Sequence, residues 1–301
     1  MSSAEVLPAG AGRSAGRGQS AGAVPSNLRF FLNELRTTFF RRRNQLLLLV
    51  VALFPLLIGI GLKAASPRER GGGGPGAGGA AFFSQLAGNG VFLTFIALSL
   101  LLILVLPVVV AVVAGDSIAG EAGYGTLRYL LAVPVGRTRL LLVKYAMIVA
   151  WSVTATFLVS AVALLAGVAL FPAGPVALLS GTTVSLGAGL VRVLLVTLYV
   201  CAAMAAIGAI GLAISTFTEH AIGAIAALIM AVVASEVVDS IPQFAAVAPY
   251  LPTHWWNSFD SLLRMPIDTT TMWHGLLSFL VYAVLFLAIA WARFTSSDVT
   301  S

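Results

Sequence analysis

Six long runs of this chain are almost free of charge, and each is close to the length of a helix that crosses a lipid bilayer. They lie near 45–62, 90–114, 140–171, 188–214, 221–239 and 272–293. A hydrocarbon core of about 30 Å takes about 20 helical residues. Lipid offers the backbone no hydrogen bonds, so uninterrupted apolar runs of this length are expected as helices. Composition agrees, with 59% hydrophobic and 9% charged residues and a mean hydropathy of +1.00. A soluble domain carries roughly a quarter charged residues. The expected fold is therefore an all-α polytopic membrane protein with six transmembrane helices. The third run is over-long and is expected to tilt or to extend into an interface. The first holds Pro55, which a membrane helix tolerates when neighbours satisfy the freed carbonyl. The fifth is the least distinct, because Glu236 and Asp239 fall at its end.

Basic residues set the orientation. With the N-terminus inside, the cytoplasmic side collects Arg13, Arg17, Arg29, Arg36, Arg41, Arg42, Arg43, Arg128, Arg137, Arg139, Lys144 and Arg293. The outside keeps Lys63, Arg68, Arg70, Arg192 and Arg264. This asymmetry places both termini in the cytoplasm. The net charge of +6 thus reads as membrane orientation, and no nucleic-acid partner is expected. The single cysteine, Cys201, excludes an intrachain disulfide and a cysteine metal cluster.

The flanks divide the chain further. Residues 1–26 are rich in Ala, Gly and Ser and read as a disordered cytoplasmic tail, matched by a short tail at 294–301. Between them, 27–44 is expected as an interfacial amphipathic helix and 45–293 as the transmembrane domain. In the helix Leu28, Phe31, Leu32, Leu35 and Phe39 share one face, opposite Arg29, Asn33 and Arg36. A charged stop before the first span is the alternative. "GGGGPGAGG" (71–79) is a flexible outer linker that lacks the Lys-Ser/Thr of a phosphate loop. The connection before the sixth span, 241–266, carries four prolines with Trp255 and Trp256. It is expected to be re-entrant in the outer leaflet, with its indoles at headgroup depth. An ordinary aromatic belt and a role in substrate exit both fit it.

The connection between spans 2 and 3, "GDSIAGEAGYGTLRYLLAVPVGRTRLLLVK" (115–144), concentrates charges and helix breakers between two greasy runs. Gly115, Gly120, Gly123 and Gly125 make its start a poor continuous helix. Thr126 can cap a new helix, which Pro134 then limits after about two turns. Leu127, Leu130 and Leu131 share a face of that helix, and Thr138 can cap the third span. A helix shorter than about 12 residues is not stable alone and needs a surface to dock on. Glu121 and Arg128 can meet as an ion pair across the intervening glycines, which removes the cost of a lone carboxylate at the membrane edge.

The pattern D-x4-E-x3-G-T-L-R-x-L-L-A-x-P-V-x-R-x2-L-L-x2-K, from Asp116 to Lys144, resembles the cytoplasmic connection of ABC-2 type exporter permeases. It includes Asp116, Glu121, Gly125, Thr126, Leu127, Arg128, Leu130, Leu131, Pro134, Arg137 and Lys144. The layout is similar too: an N-terminal interfacial helix, six spans and an outer re-entrant segment, as in the ABC-2 or type V exporter architecture. The resemblance implies that 126–134 is a coupling helix, seated in a cleft of a separate ABC ATP-binding subunit and carrying that subunit's movement into the spans. It implies two such ATPase subunits, and a second six-span permease, identical or different, facing this one. ATP and Mg would be bound by the partner, and no cofactor or metal is expected in this chain, which has no G-x-x-x-x-G-K-[ST]. "LLSGTT" (178–183) looks like an ABC signature but falls in an outer connection. "STFTEHA" (215–221) is a weaker candidate for a second cytoplasmic contact.

Two other classes compete. A secondary transporter or channel usually places ionisable groups deep within its spans; here Arg192, Glu236 and Asp239 lie near outer ends, where snorkelling and mutual pairing account for them. A membrane enzyme would need a catalytic constellation, and neither H-E-x-x-H nor G-x-S-x-G occurs. Alternating-access export driven by ATP hydrolysed elsewhere fits best, from a bacterial cell membrane. Spans lined by aliphatic and small residues suit an amphipathic or lipid-like substrate, such as a drug, an antibiotic peptide or a lipid.

Overall fold

The computed structural model describes residues 26–65, 89–123, 136–172, 174, 176–177 and 182–296. The expected coupling helix at 126–134 and its flanking Gly125 lie outside the described residues. So do residues 1–25, the glycine linker at 71–79 and residues 297–301.

The chain opens with α1, Ser26–Phe40, and turns at Arg41 into α2, Arg42–Ala65. The turn is fixed by Asn44, whose amide donates to the Thr38 carbonyl at 2.9 Å. α2 runs on through Pro55. α3 (Phe92–Ile103) and α4 (Val105–Asp116) follow, then the short α5 (Ala119–Gly123) and the long α6 (Arg137–Leu170). A two-residue antiparallel pair joins β1 (Val176–Ala177) to β2 (Thr183–Val184), with Val176 opposite Val184. α7 (Leu186–Ser215) and α8 (Ala221–Asp239) come next. Three 3-10 helices, Pro242–Phe244, Ala248–Tyr250 and Trp256–Leu263, lead to α9, Thr269–Ser296.

Five helices, α2 and α6 to α9, are long and apolar enough to cross a membrane. α3 and α4 meet at a 52° bend and make a sixth span if taken together. Contacts at the two ends of α6 decide that they cross. The start of α3 touches α6 at Gly167, where a Cβ on Gly90 would lie 2.3 Å from the Gly167 carbonyl oxygen. Beyond the other end of the pair, Glu121 hydrogen-bonds Lys144. These two points on α6 are roughly 34 Å apart at the helical rise, so α3 and α4 form one broken span. Pro107 explains the break. Its ring excludes the carbonyl four residues back, that of Ile103, where α3 ends. As the third residue of α4 it lacks only a donor that a helix start leaves unpaired anyway.

α7 is the central element, packed on α4, α6, α8 and α9. Polar side chains stitch it to its neighbours inside an apolar interior. The hydroxyls of Ser160 and Thr197 are 2.8 Å apart, and Tyr145 donates to the Ala205 carbonyl at 3.2 Å. Trp151, fully buried, donates to the Val109 carbonyl at 3.1 Å and so fixes α6 against α4.

The 3-10 helix Trp256–Leu263 lies against α7 and α9, and Pro242–Phe244 lies against α8. Trp256 is 2% exposed and belongs to the protein core, alongside Phe259, Leu262 and Leu263. Trp255 stacks on His274 and donates to the Pro249 carbonyl at 3.0 Å. Two adjacent tryptophans do not reveal in sequence which indole turns inward.

Candidate functional site: a charge cluster at one end of the bundle

Six charged side chains from α1, the α1–α2 turn, α2, α4, α5 and α6 meet around a cavity of about 240 Å³. Lys144 is the hub. It sits two turns into α6 on the face that also carries the buried Ile148 and Trp151, and it is 2% exposed. Its ammonium is 2.5 Å from Glu34 Oε1 and pairs with Glu121 Oε1. Beside it, Asp116 Oδ2 accepts from Arg41 Nη1 and Arg43 Nη2, each at 2.8 Å. Three carboxylates thus face three cations, which a group of charges at a membrane edge requires. Burial pushes the Glu121 carboxyl above its ordinary range, and the attraction of Lys144 opposes that rise in part.

Local packing brings these groups together. Phe31, Leu35 and Phe39 of α1 pack on the core, and Phe39 meets Trp151 edge to face at 5.2 Å. The apolar face of α1 is therefore turned to the spans, while Leu32 is half exposed. The α4–α5 corner is held by Ser215, the last residue of α7. Its hydroxyl accepts from the Ile118 and Ala119 amides at 3.2 and 2.9 Å and donates to the Gly115 carbonyl at 3.0 Å.

The start of this stretch is not one continuous helix, as expected: α4 ends at Asp116, a turn follows at Ser117 and Ile118, and α5 has only five residues. Gly115, Gly120 and Gly123 lie within these helices and have a second role there. They make room. A Cβ would lie 2.6 Å from Ile225 at Gly115, 2.3 Å from Asp116 Oδ1 at Gly120 and 2.9 Å from the Glu219 carbonyl at Gly123. Thr138 does not cap α6, whose N-cap is Gly136 without a side-chain bond. Its hydroxyl accepts from Trp291 Nε1 at 2.9 Å. Arg137 donates to the Thr295 carbonyl at 2.9 Å, so the start of α6 is tied to the end of α9.

Of the residues singled out in the sequence, Asp116, Glu121 and Lys144 converge on the cluster, whereas Arg137 is tied to the end of α9. Gly125, Thr126, Leu127, Arg128, Leu130, Leu131 and Pro134 fall outside the described residues, and with them the expected Glu121–Arg128 pair. Glu34, Arg41, Arg43 and Ser215 were not anticipated as members. One signal pointed to the first of these: Lys144 shares a helical face with Leu140, Leu141, Ile148 and Trp151, and a lysine on a buried face needs carboxylates from elsewhere. At the opposite end of the bundle, Arg192 pairs with neither Glu236 nor Asp239. Asp239 instead meets His254 Nδ1 at 2.6 Å, and Glu236 interacts with the Thr253 side chain.

No curated protein sequence matches the chain. The sequence model described as "ABC-2 family transporter protein" matches residues 40–235, from the α1–α2 turn almost to the end of α8. That range covers most of the chain and holds Arg41, Arg43, Asp116, Glu121 and Lys144, so this protein belongs to the ABC-2 transporter family and is a permease of the ABC type.

Proposed function

We propose that the chain is the membrane subunit of an ATP-driven exporter, with its charge cluster and both termini on the cytoplasmic side of a bacterial cell membrane. Family membership implies an ABC ATP-binding subunit as partner. In this reading two such subunits bind ATP and Mg and hydrolyse the nucleotide, and residues 126–134 form the coupling helix that docks on one of them through Leu127, Leu130 and Leu131. A second six-span permease completes the path. The cargo is amphipathic or lipid-like, drawn from the cytoplasm or the inner leaflet, and it crosses by alternating access.

One observation carries this reading. Gly123 and Gly136 are the described residues on either side of 124–135, and the helices that end and begin there are clamped together by the Glu121–Lys144 pair. Glu34 extends the same clamp to α1, and Asp116 extends it to the root of α2. A push delivered to this segment therefore reaches α1, α2, the broken span and α6 at one point. Buried ion pairs suit such a joint because their geometry is specified more sharply than apolar contact.

The test is reconstitution of the permease with its co-expressed ATPase in proteoliposomes. Transport of an amphipathic dye that needs ATP, and that stops when the ATPase is omitted, is the expected result. Transport driven by a proton gradient without ATP would overturn the proposal.

A further inference from the structure

Among the described residues, Arg192 is a buried cation without a counter-ion. It is 6% exposed, and its Nη1 is sealed from solvent with no hydrogen-bond partner. The carboxylates at its end of the bundle are engaged elsewhere. Asp239 meets His254, Asp260 feels Arg264, and Asp268 accepts from the Thr270 amide at 2.9 Å. No ion pair to Arg192 occurs among the described residues. A buried charge left without a partner is strongly destabilising, so an arginine in this state calls for an anion.

The position of Arg192 sharpens the demand. It lies six residues into α7, roughly 9 Å from the start of the helix, and long side chains on a helix lean back toward its N-terminus. The guanidinium therefore approaches the first turn, where free backbone N–H groups carry partial positive charge. A cation is disfavoured there, and an anion between the two relieves both costs. Ser185 occupies part of this turn, its hydroxyl accepting from the Ala188 amide at 3.4 Å and its carbonyl from Gly189 at 3.0 Å. The amides of Leu186 and Gly187 are not served by these bonds. Gly187 is exposed, and a Cβ there would meet nothing within 4 Å, so the turn is open to a ligand.

Depth selects the ligand chemistry. From the midpoint of α7 to Arg192 is roughly 13 Å along the axis, close to the edge of a hydrocarbon core about 30 Å thick. An arginine leaning outward from there reaches the layer of phosphate esters, and its planar fork matches two phosphate oxygens. A second buried donor stands at the same end: Trp256 Nε1, also without a partner, opens a 3-10 helix that packs on α7.

We propose that Arg192 and the first turn of α7 form a binding site for a phosphate ester. The phosphate belongs either to a bilayer lipid or to a smaller molecule that brings it from solution. Three probes separate these sources by thermal shift of the full chain in a neutral detergent: dioctanoyl phosphatidylglycerol, dioctanoylglycerol and inorganic phosphate. The first should stabilise the protein and the second, with the same chains but no phosphate, should not. Stabilisation by inorganic phosphate as well would assign the site to free phosphate; its failure would assign it to the lipid headgroup. Arg192→Gln should weaken the apparent affinity for the phosphatidylglycerol about tenfold or more, the loss of a charge-assisted bidentate contact. Arg192→Lys should fall between, and it serves if the glutamine variant does not fold. Equal stabilisation by the two glycerides, or unchanged affinity in the arginine variants, would overturn the proposal.

Discussion

Glu121 and Lys144 are 23 residues apart in sequence and meet as an ion pair, with Glu34 at 2.5 Å on the same ammonium. The pair brings together the two roots of the segment that links the second and third spans. Lys144 is 2% exposed, so its removal strands two carboxylates that are themselves largely covered. Lys144→Met is expected to destabilise the fold by about 3 kcal/mol, the lower part of the range for breaking a buried pair. Adding Glu34→Gln and Glu121→Gln should recover most of the loss. Thermal unfolding of the purified variants in one detergent checks both outcomes; a triple variant no more stable than Lys144→Met would remove the cluster's electrostatic account.

The same site makes stability depend on pH. Burial raises the Glu121 carboxyl above the ordinary value of 4.5, so the folded protein holds this proton more tightly than the unfolded chain. Stability then falls as pH rises from 4.5 through the raised folded value, because ionisation costs more in the folded state. Glu121→Gln removes that slope. Melting temperatures of the wild type and the variant, measured from pH 4.5 upward, should show the wild type losing ground relative to the variant across the window. A wild type that gains relative to Glu121→Gln would show that the attraction of Lys144 outweighs desolvation.

The bundle was legible because lipid imposes a simple rule on sequence. An apolar run of sufficient length must become a helix, and the fifth span, expected at 221–239, is α8 from Ala221 to Asp239. The break at Leu104 was equally written in Pro107, yet hydropathy averages over a window and cannot register one missing donor. Asp116, Glu121 and Lys144 were singled out by the motif that resembles the ABC-2 connection, whereas their partners lie far from it in sequence. Glu34 lies 110 residues from Lys144, and Arg41 lies 75 from Asp116, so only the packing of α1 across the spans unites them. The second role of the glycines was hidden for a related reason. Composition cannot tell a glycine that frees the backbone from one that lets another chain come close.

Gly90 and Gly167 offer the sharpest case of close approach. A Cβ on Gly167 would lie 1.9 Å from the Gly90 carbonyl oxygen, a contact with rigid backbone. Gly167→Ala should therefore push apart the start of α3 and the end of α6, at a cost of about 1–3 kcal/mol. Gly61→Ala is the control, since a Cβ there meets nothing within 4 Å. Fluorescence-detected size-exclusion after a heat step should show early loss of the monodisperse peak for Gly167→Ala alone.

Orientation is tested by two single cysteines on a Cys201→Ala background, the native thiol being buried. Asn257 and Glu219 are exposed at opposite ends of the bundle. With the charge cluster inside, an impermeant maleimide added to intact cells should label Asn257→Cys and spare Glu219→Cys until the membrane is opened. The reverse pattern would place the charged end outside and end the coupling proposal with it.

The remaining prediction concerns how the cluster and the segment rooted in it divide their work. If Leu127, Leu130 and Leu131 dock on an ATPase, Leu130→Asp buries an unpaired carboxylate at a cost of about 3 kcal/mol or more, enough to lose the subunit. Glu121→Ala leaves the docking face untouched and loosens its root. The ATPase should then co-purify, while ATP hydrolysis continues with transport reduced. Lys144→Met should produce the same uncoupling, and Glu121→Ala added to it should do little further, because both remove one contact; residues sharing a contact are not additive. Arg128→Ala discriminates between two partners for Glu121. If Lys144 alone holds the carboxylate, Arg128→Ala leaves coupling near wild type; if Arg128 shares it, coupling drops as in Glu121→Ala. Co-purification and the ratio of dye transported to ATP hydrolysed, measured on each reconstituted variant, decide the matter. Leu130→Asp with normal ATPase association would reduce 126–134 to an ordinary charged loop.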